Sequence, residues 1–300
     1  MSIINSAGFY DLHIHTAPAP FVRIGDSIDI ARWCAEAGMA GVGIKSHFES
    51  TVSKVHHARR GIPDYPGFKI FAGVALNRGV GGINPGAVEI ALDQGARIVW
   101  LPTFDAHAHA LAFGGAGEYG FKSMRLAFKG ASRPRGDYST LRDGKLTDDA
   151  REVIDIIAAY DAVLASGHAS REEIFAVFEY ARSRNVKRLV VTHPEFLVPN
   201  LDVATMKELA AEGAMMEFCA VNCFPMSPTV TLDRVKEMIM EVGPQNVIIS
   251  SDSGQPFNPR PPEAFRTYLQ CLHEKGVGED AIRQMCIANP ERLLGIGGRK

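Results

Sequence analysis

Two histidines stand two residues apart in Tyr10-Asp11-Leu12-His13-Ile14-His15-Thr16. Read as a short strand, this stretch sends residues i and i+2 to one face. His13 and His15 then point one way, and Leu12 and Ile14 the other. Two imidazoles side by side at a strand end can grip one divalent ion. Chance also places such pairs on strand ends, so the rest of the chain decides. Lys45 and His47 fall at the end of a second strand-like run, Asn77 after a third, and Thr103 and Asp105 after a fourth. His168 follows a fifth, His193 a sixth and Asp252 an eighth, while Glu217 lies within the seventh. Of ten histidines, five (His13, His15, His47, His168, His193) occupy such ends. A random scatter would put most of them on helices and surface loops. Neutral imidazole and carboxylate are ligands for zinc and other first-row metals. Such an ion lowers the pKa of its water to about 7. A carboxylate within reach can take the remaining proton.

The elements that must position these residues alternate along the chain. Strands are expected at about residues 9–15, 39–47, 68–76, 97–103, 162–166, 186–192, 214–220 and 246–251. Asp26 or Ser27 can cap a helix that runs to Ala37 and stops at Gly38. A second helix covers Thr51–Arg60, and Asn84-Pro85 opens a third. Later helices are expected at Thr147–Ala159, from Ser170 (with Glu173 as a capping box) to Arg184, at Asp202–Glu212 and at Leu232–Val242. Two more follow, about Pro262–Lys275 and Glu279–Leu294. Eight strands, each followed by a helix or a long loop, predict a single (β/α)8 TIM barrel over residues 1–300. It has a long loop insertion after strand 4, residues 105–146, and extra C-terminal helices. The insertion is rich in Gly and carries Lys122, Arg125, Lys129, Arg133 and Arg135. It reads equally as a solvated surface loop or as a lid whose cations point weakly to an anionic substrate. An open doubly wound sheet is the structural alternative. The first strand is followed by no G-x-G-x-x-G loop, which weighs against its dinucleotide-binding form.

Composition narrows the function classes. With 300 residues, 46% hydrophobic and 22% charged, the chain reads as an ordinary soluble globular protein. A net charge of -2 gives no global field for nucleic acid or membrane surfaces. No apolar run is long enough for a membrane span, and no secretory leader is evident. Five cysteines without zinc-finger or scaffold spacing suggest free thiols in a reducing cytoplasm.

With the strand ends in register, the chain resembles the amidohydrolase superfamily of metal-dependent hydrolases. The resemblance is carried by H-x-H on strand 1, His168 after strand 5, His193 after strand 6 and Asp252 after strand 8. The ending Asn289-Pro290-Glu291-Arg292-Leu293-Leu294-Gly295 also resembles the N-P-A-R-L-L-G common there. Lys45-Ser46-His47, the run Leu76–Pro85 and Trp100-Leu101-Pro102-Thr103 look like a largely uncharacterised branch. The resemblance implies that His13 and His15 bind a first metal. It implies that His168 and His193 bind a second, or that His193 polarises substrate or water beside a single ion. Asp252 would ligate the metal and act as general base on the metal-bound water. Zinc is the expected ion, with manganese as second choice, one or two per chain. The implied partner is a small molecule; oligomeric state stays open, and a homo-oligomer is compatible.

One departure bears on metal number. Two-metal members usually carry a carboxylated lysine or a glutamate on strand 4, and Arg97-Ile98-Val99-Trp100-Leu101-Pro102-Thr103 has neither. Either the site holds one ion, or Lys45 supplies a carbamate bridge. A lysine inside an apolar strand should have a lowered pKa, and the neutral amine can add CO2. Equally, Lys45 is an ammonium paired with Asp252 or Glu217. His47 shares its face and reads as a ligand or proton donor, while His107 and His109 read as loop residues. Asn77, Arg78 and Thr103 are candidate substrate contacts. The expected activity is hydrolysis of a small amide, imide, carbamate or lactone. A one-metal decarboxylase or lyase, a phosphoesterase of the polymerase-and-histidinol-phosphatase type, and a non-catalytic ligand-binding barrel are the alternatives, in that order.

Overall fold

The computed structural model describes residues 2–119, 137–225 and 228–297. One parallel sheet runs in the order β1 (Tyr10–His15), β2 (Gly41–Lys45), β3 (Lys69–Ala75), β4 (Ala96–Trp100), β7 (Val163–Ala165), β8 (Leu189–Thr192), β9 (Ala214–Cys219) and β10 (Val247–Ser250). A separate antiparallel hairpin in the insertion supplies β5 (Leu141–Arg142) and β6 (Lys145–Leu146), so the fifth barrel strand is β7. The ring returns to its start through a parallel bridge between Ile14 and Ser253, where the His15 N–H donates to the Ser253 carbonyl at 2.8 Å. This is the expected (β/α)8 barrel.

Seven helices follow their strands around the outside: α1 (Ser27–Glu36), α2 (Val52–Gly61), α3 (Pro85–Asp93), α5 (Asp148–Ala159), α6 (Arg171–Ser183), α7 (Val203–Ala211) and α8 (Leu232–Val242). Local chemistry sets their starts. Asp26 caps α1 with a reciprocal bond from its own N–H to Asp29, Asn84 caps α3 ahead of Pro85, and Ser170 and Glu173 form the capping box of α6. Two apolar layers result. An outer one, including Ile14, Val42, Ile44 and Val191, lies between strands and helices. An inner one, including Tyr10, Leu12, Phe71, Trp100 and Met215, fills the barrel, with Leu293 and Leu294 of the last helix packed into it. Among the described residues, no helix is long and apolar enough to cross a membrane. All five cysteines are free.

The first strand departs from simple alternation. Asp11 pairs with Val42 but Ile14 with Ile44, so Leu12 and His13 together oppose the single Gly43. This bulge places Leu12 in the inner layer, not on the outer face with Ile14 as expected. It also lets His13 and His15 share the inner side. Asp11 Oδ1 accepts the His13 N–H at 3.3 Å and the Ser251 N–H at 3.0 Å, locking the bulge to the end of β10. Gly43 makes the bulge feasible, because a Cβ there would lie 2.3 Å from the Leu12 carbonyl oxygen and 2.7 Å from its carbon. Both are backbone atoms and cannot rotate away. Gly43→Ala is therefore expected to destabilise the protein by about 3 kcal/mol, at the upper end of overpacking costs. Calorimetry on wild type and variant checks it; a loss below about 1 kcal/mol would mean the bulge is plastic.

One other expectation is corrected. The final helix is not continuous over Glu279–Leu294: α10 (Glu279–Arg283) and α11 (Asn289–Leu294) flank a π turn at Gln284–Ala288. Pro290 lacks an N–H, and its ring crowds the carbonyl four residues back, so the coil widens there. Asn289 then ties the turn to the barrel, donating to the Val247 carbonyl at 2.6 Å and the Pro244 carbonyl at 2.8 Å. A longer helix, α9 (Pro261–Glu274), precedes it. The insertion after strand 4 is present as expected, and α4 (His107–Phe113) and the β5–β6 hairpin lie within it. Lys122, Arg125, Lys129, Arg133 and Arg135 fall outside the described residues.

Candidate metal centre and active site

The C-terminal rim gathers the expected residues. Lys45 is the last residue of β2, and His13 and His15 stand at the end of β1. Asp252, two residues beyond β10, adopts a left-handed backbone at φ 50°, as does His193, just past β8, at φ 33°. Asp252 Oδ1 lies 3.1 Å from His15 Nε2 and 3.4 Å from His13 Nε2, so the carboxylate sits between the two imidazoles. Lys45 Nζ approaches the same His13 Nε2 at 3.0 Å and rests 5.1 Å above the Trp100 ring, the floor of the site. Gly73 leaves room for that floor, since a Cβ on it would meet the indole at 2.3 Å.

The other edge of His13 is held from β9. Its Nδ1 faces Glu217 Oε2 at 3.4 Å and Cys219 Sγ at 3.8 Å. Glu217 in turn accepts from Ser250 Oγ at 2.7 Å. Burial alone would raise the Glu217 pKa, but His13, Ser250 and Lys45 outweigh it and hold the carboxyl below its ordinary value. Glu217 is thus an anion that keeps the His13 proton on Nδ1 and the lone pair on Nε2. This is the carboxylate–histidine arrangement that supports a metal ligand.

His168 and His193 form the far side, with rings 4.9 Å apart. His168 is oriented by a residue that had read as a loop histidine. His109, buried on α4, places its Nε2 2.7 Å from the Glu118 carbonyl and its Nδ1 2.8 Å from His168 Nδ1. A carbonyl only accepts, so His109 Nε2 carries a proton. Burial lowers the His109 pKa to about 4, so the ring is neutral and its Nδ1 is an acceptor. His168 Nδ1 must then donate, which leaves its Nε2 as a bare lone pair. Burial and neighbouring cations also hold His15 and His168 well below the usual histidine range and bring His193 to about 3. His193 Nδ1 is buried and has no hydrogen-bond partner among the described residues. His109→Phe is expected to preserve packing but weaken metal retention by about 10- to 100-fold, as losses of ligand-orienting partners do. Competition with a chromogenic chelator measures it.

His47 has the opposite tautomer. Asn77 Oδ1 accepts the backbone N–H groups of Thr103 (2.8 Å) and Asp105 (3.3 Å), which fixes its amide orientation. Its Nδ2 therefore donates, to Thr103 Oγ1 at 2.6 Å and the His47 carbonyl at 3.1 Å. Assigning the Thr103 hydroxyl proton to His47 Nδ1, 2.8 Å away, makes that nitrogen the acceptor. Burial keeps His47 neutral, its pKa well below the usual value, so Nε2 carries the hydrogen. Asn77 and Thr103 are fully buried, whereas the Arg78 side chain is exposed and its N–H donates to Asp105 Oδ2 at 2.9 Å.

The donor chemistry fits a divalent ion. One ligand atom each from His13, Cys219 and Asp252 lie within 4.8 Å of one another. Imidazole, carboxylate and thiol are the donor types that bind zinc and its neighbours. Cys219 is the addition, since the sequence marks the five cysteines only as free thiols without zinc-finger spacing. Burial raises its pKa well above the usual thiol value, followed by repulsion from Glu217 and Asp252. A cation would be needed to favour its thiolate.

A parallel eight-stranded (β/α)8 barrel carries histidines, an aspartate and a buried lysine at its C-terminal rim. The chain belongs to the Family of unknown function (DUF6282), whose model matches residues 8–217. No protein of curated function matches it in sequence. Among solved structures it is similar to an amidohydrolase from Pseudomonas aeruginosa, with 14% identity over 96% of this chain and 95% of that one and a TM-score of 0.61. A putative 2-pyrone-4,6-dicarboxylic acid hydrolase from Pseudomonas putida matches with 12% identity over 97% and 99% of the two chains, TM-score 0.60. A lactonase from Listeria monocytogenes matches with 14% identity over 98% and 96%, TM-score 0.58. At these identities the likeness is one of fold.

Proposed function

We propose that the protein is a metal-dependent hydrolase of a small lactone or amide. The observation that carries this reading is Asp252 Oδ1 set between His13 Nε2 and His15 Nε2, both on one strand end. His13, His15 and Asp252 would hold the ion, with His168 and His193 available for a second. When bound, a divalent ion supplies Lewis acidity and lowers the pKa of a coordinated water to about 7. Asp252 receives a proton and returns it to the leaving group. His47, through Nε2–H, donates to the substrate carbonyl oxygen, which gains negative charge as the bond breaks. Asn77 and Thr103 act through His47, not on substrate. The similar folds carried by a named lactonase and a putative pyrone-dicarboxylic acid hydrolase favour the cyclic-ester end of the range.

A one-ion decarboxylase is the second reading, because β4 brings Trp100 and no bridging ligand to the rim. Zinc- and manganese-loaded protein, tested on a panel of lactones, cyclic amides and aromatic carboxylic acids, separates the two. Ring opening with consumption of water supports the hydrolase; CO2 release without it supports the lyase. Metal content of wild type and Lys45→Ala, measured together, settles the lysine. Two ions falling to one or none would make Lys45 a carbamate bridge. One ion in both would leave it an amine beside His13.

A further inference from the structure

We infer that Arg23 is a binding residue for a carboxylate on the substrate, set at the edge of an aromatic wall that receives a flat ring. Arg23 lies on the segment between β1 and α1. That segment is pinned over the site by its backbone: the Ile24 N–H donates to the Gly254 carbonyl at 2.9 Å, and the Ala17 N–H to the Gly25 carbonyl at 2.8 Å. Arg23 therefore stands beside the turn that carries Asp252. Its Nε is buried with no hydrogen-bond partner among the described residues, and the nearby Asp252 carboxylate favours its charge without bonding to that atom. Asp252 Oδ1 is instead engaged by His13 and His15. What the guanidinium does touch is an aromatic face, with Cζ 5.6 Å from the Phe21 ring centre.

A buried cationic donor without an acceptor is unfavourable unless a ligand completes it. The planar fork of arginine matches the two oxygens of a carboxylate. The wall beside it supplies the rest of the ligand's shape. Phe21 lies 5.7 Å from Phe48, 6.3 Å from Phe104 and 6.1 Å from Tyr119, centre to centre. Phe104 in turn lies 5.0 Å from the ring of His47. A flat, ring-bearing acid held by Arg23 would lie along these faces, with its reactive carbonyl near His47. The electrostatics agree, since burial lowers the Arg23 pKa to about 10 and attraction to Asp252 and Tyr119 offsets part of it. That the carboxylate belongs to a substrate rests on the hydrolase reading; the anion site itself does not.

The test is a binding measurement that needs no turnover. Full-length protein is titrated calorimetrically with isophthalate, with its uncharged analogue isophthalamide, and with inorganic phosphate. Wild type is expected to bind isophthalate more tightly than either. Arg23→Gln should weaken isophthalate by roughly 10- to 100-fold, the range for hydrogen bonds to a charged group, and leave isophthalamide unchanged. Arg23→Lys, which keeps the charge but not the fork, should fall between them, and it serves alone if the glutamine variant does not fold. Equal isophthalate affinity in wild type and variants would overturn the inference, as it would place the acid on a metal or elsewhere. No binding by wild type would overturn it as well, as would phosphate binding more tightly than isophthalate. Binding that depends on Arg23, in a protein that opens no lactone or amide, would sink the hydrolase reading alone.

Discussion

Asp252→Asn is expected to lower kcat/KM on any lactone or amide the wild type opens by at least about 1,000-fold, within the range for loss of a positioned acid–base group. Asparagine preserves the shape of the side chain and can still offer an oxygen to His15. What it cannot do is accept a proton at neutral pH. Its neutral amide is also a weaker ligand than a carboxylate, so metal content must be read beside the rate. If the variant retains its ion and loses turnover, the carboxylate is acting on protons. If ion and turnover fall together and excess zinc restores both, ligation is its main task. Activity within about tenfold of wild type, with the metal retained, would remove Asp252 from the proton transfer.

Much of this rim was legible in the sequence because it follows from periodicity and order alone. A barrel places the last residues of every parallel strand on one face, so a histidine after strand 5 and an aspartate after strand 8 must approach each other whatever lies between. Lys45 followed from the same rule, and burial accounts for its lowered pKa. Residues outside that rule were hidden. The inward turn of Leu12 depends on a bulge whose only sequence trace is a glycine on the neighbouring strand, Gly43. His109 meets His168 across 59 positions, from a short helix inside a Gly-rich insertion with no strand period to report it. Arg23 belongs to a segment fixed by backbone bonds to Gly254, and backbone bonds leave little mark on residue type. The break in the C-terminal helix did carry a signal, in Pro290. A single helix read over Glu279–Leu294 makes no use of it.

The second large effect concerns Asn77, which touches neither Asp252 nor the H-x-H pair. Asn77→Ala would leave the N–H groups of Thr103 and Asp105 and the carbonyl of His47 without their present partner, all in a buried setting. At about 1–3 kcal/mol for each buried unsatisfied group, with partial relaxation, the expected loss is about 4 kcal/mol. For a chain of this size that corresponds to a fall in Tm of roughly 6 °C by calorimetry. Asn77→Asp distinguishes scaffold from donor. Its oxygen still accepts both N–H groups, so the loop after β4 is retained, but nothing then donates to Thr103 Oγ1. The Thr103 hydroxyl is free to turn its proton to the new carboxylate. His47 Nδ1 loses its donor, and the imidazole can move its own hydrogen to that side. The aspartate variant should therefore lose turnover, with Nε2 of His47 no longer held as a donor. Nitrogen-15 spectra of the His47 ring report the tautomer directly. An unchanged Nε2–H signal in Asn77→Asp would break the link from Asn77 through Thr103 to His47, and with it the assignment of His47 as the group that receives the developing charge.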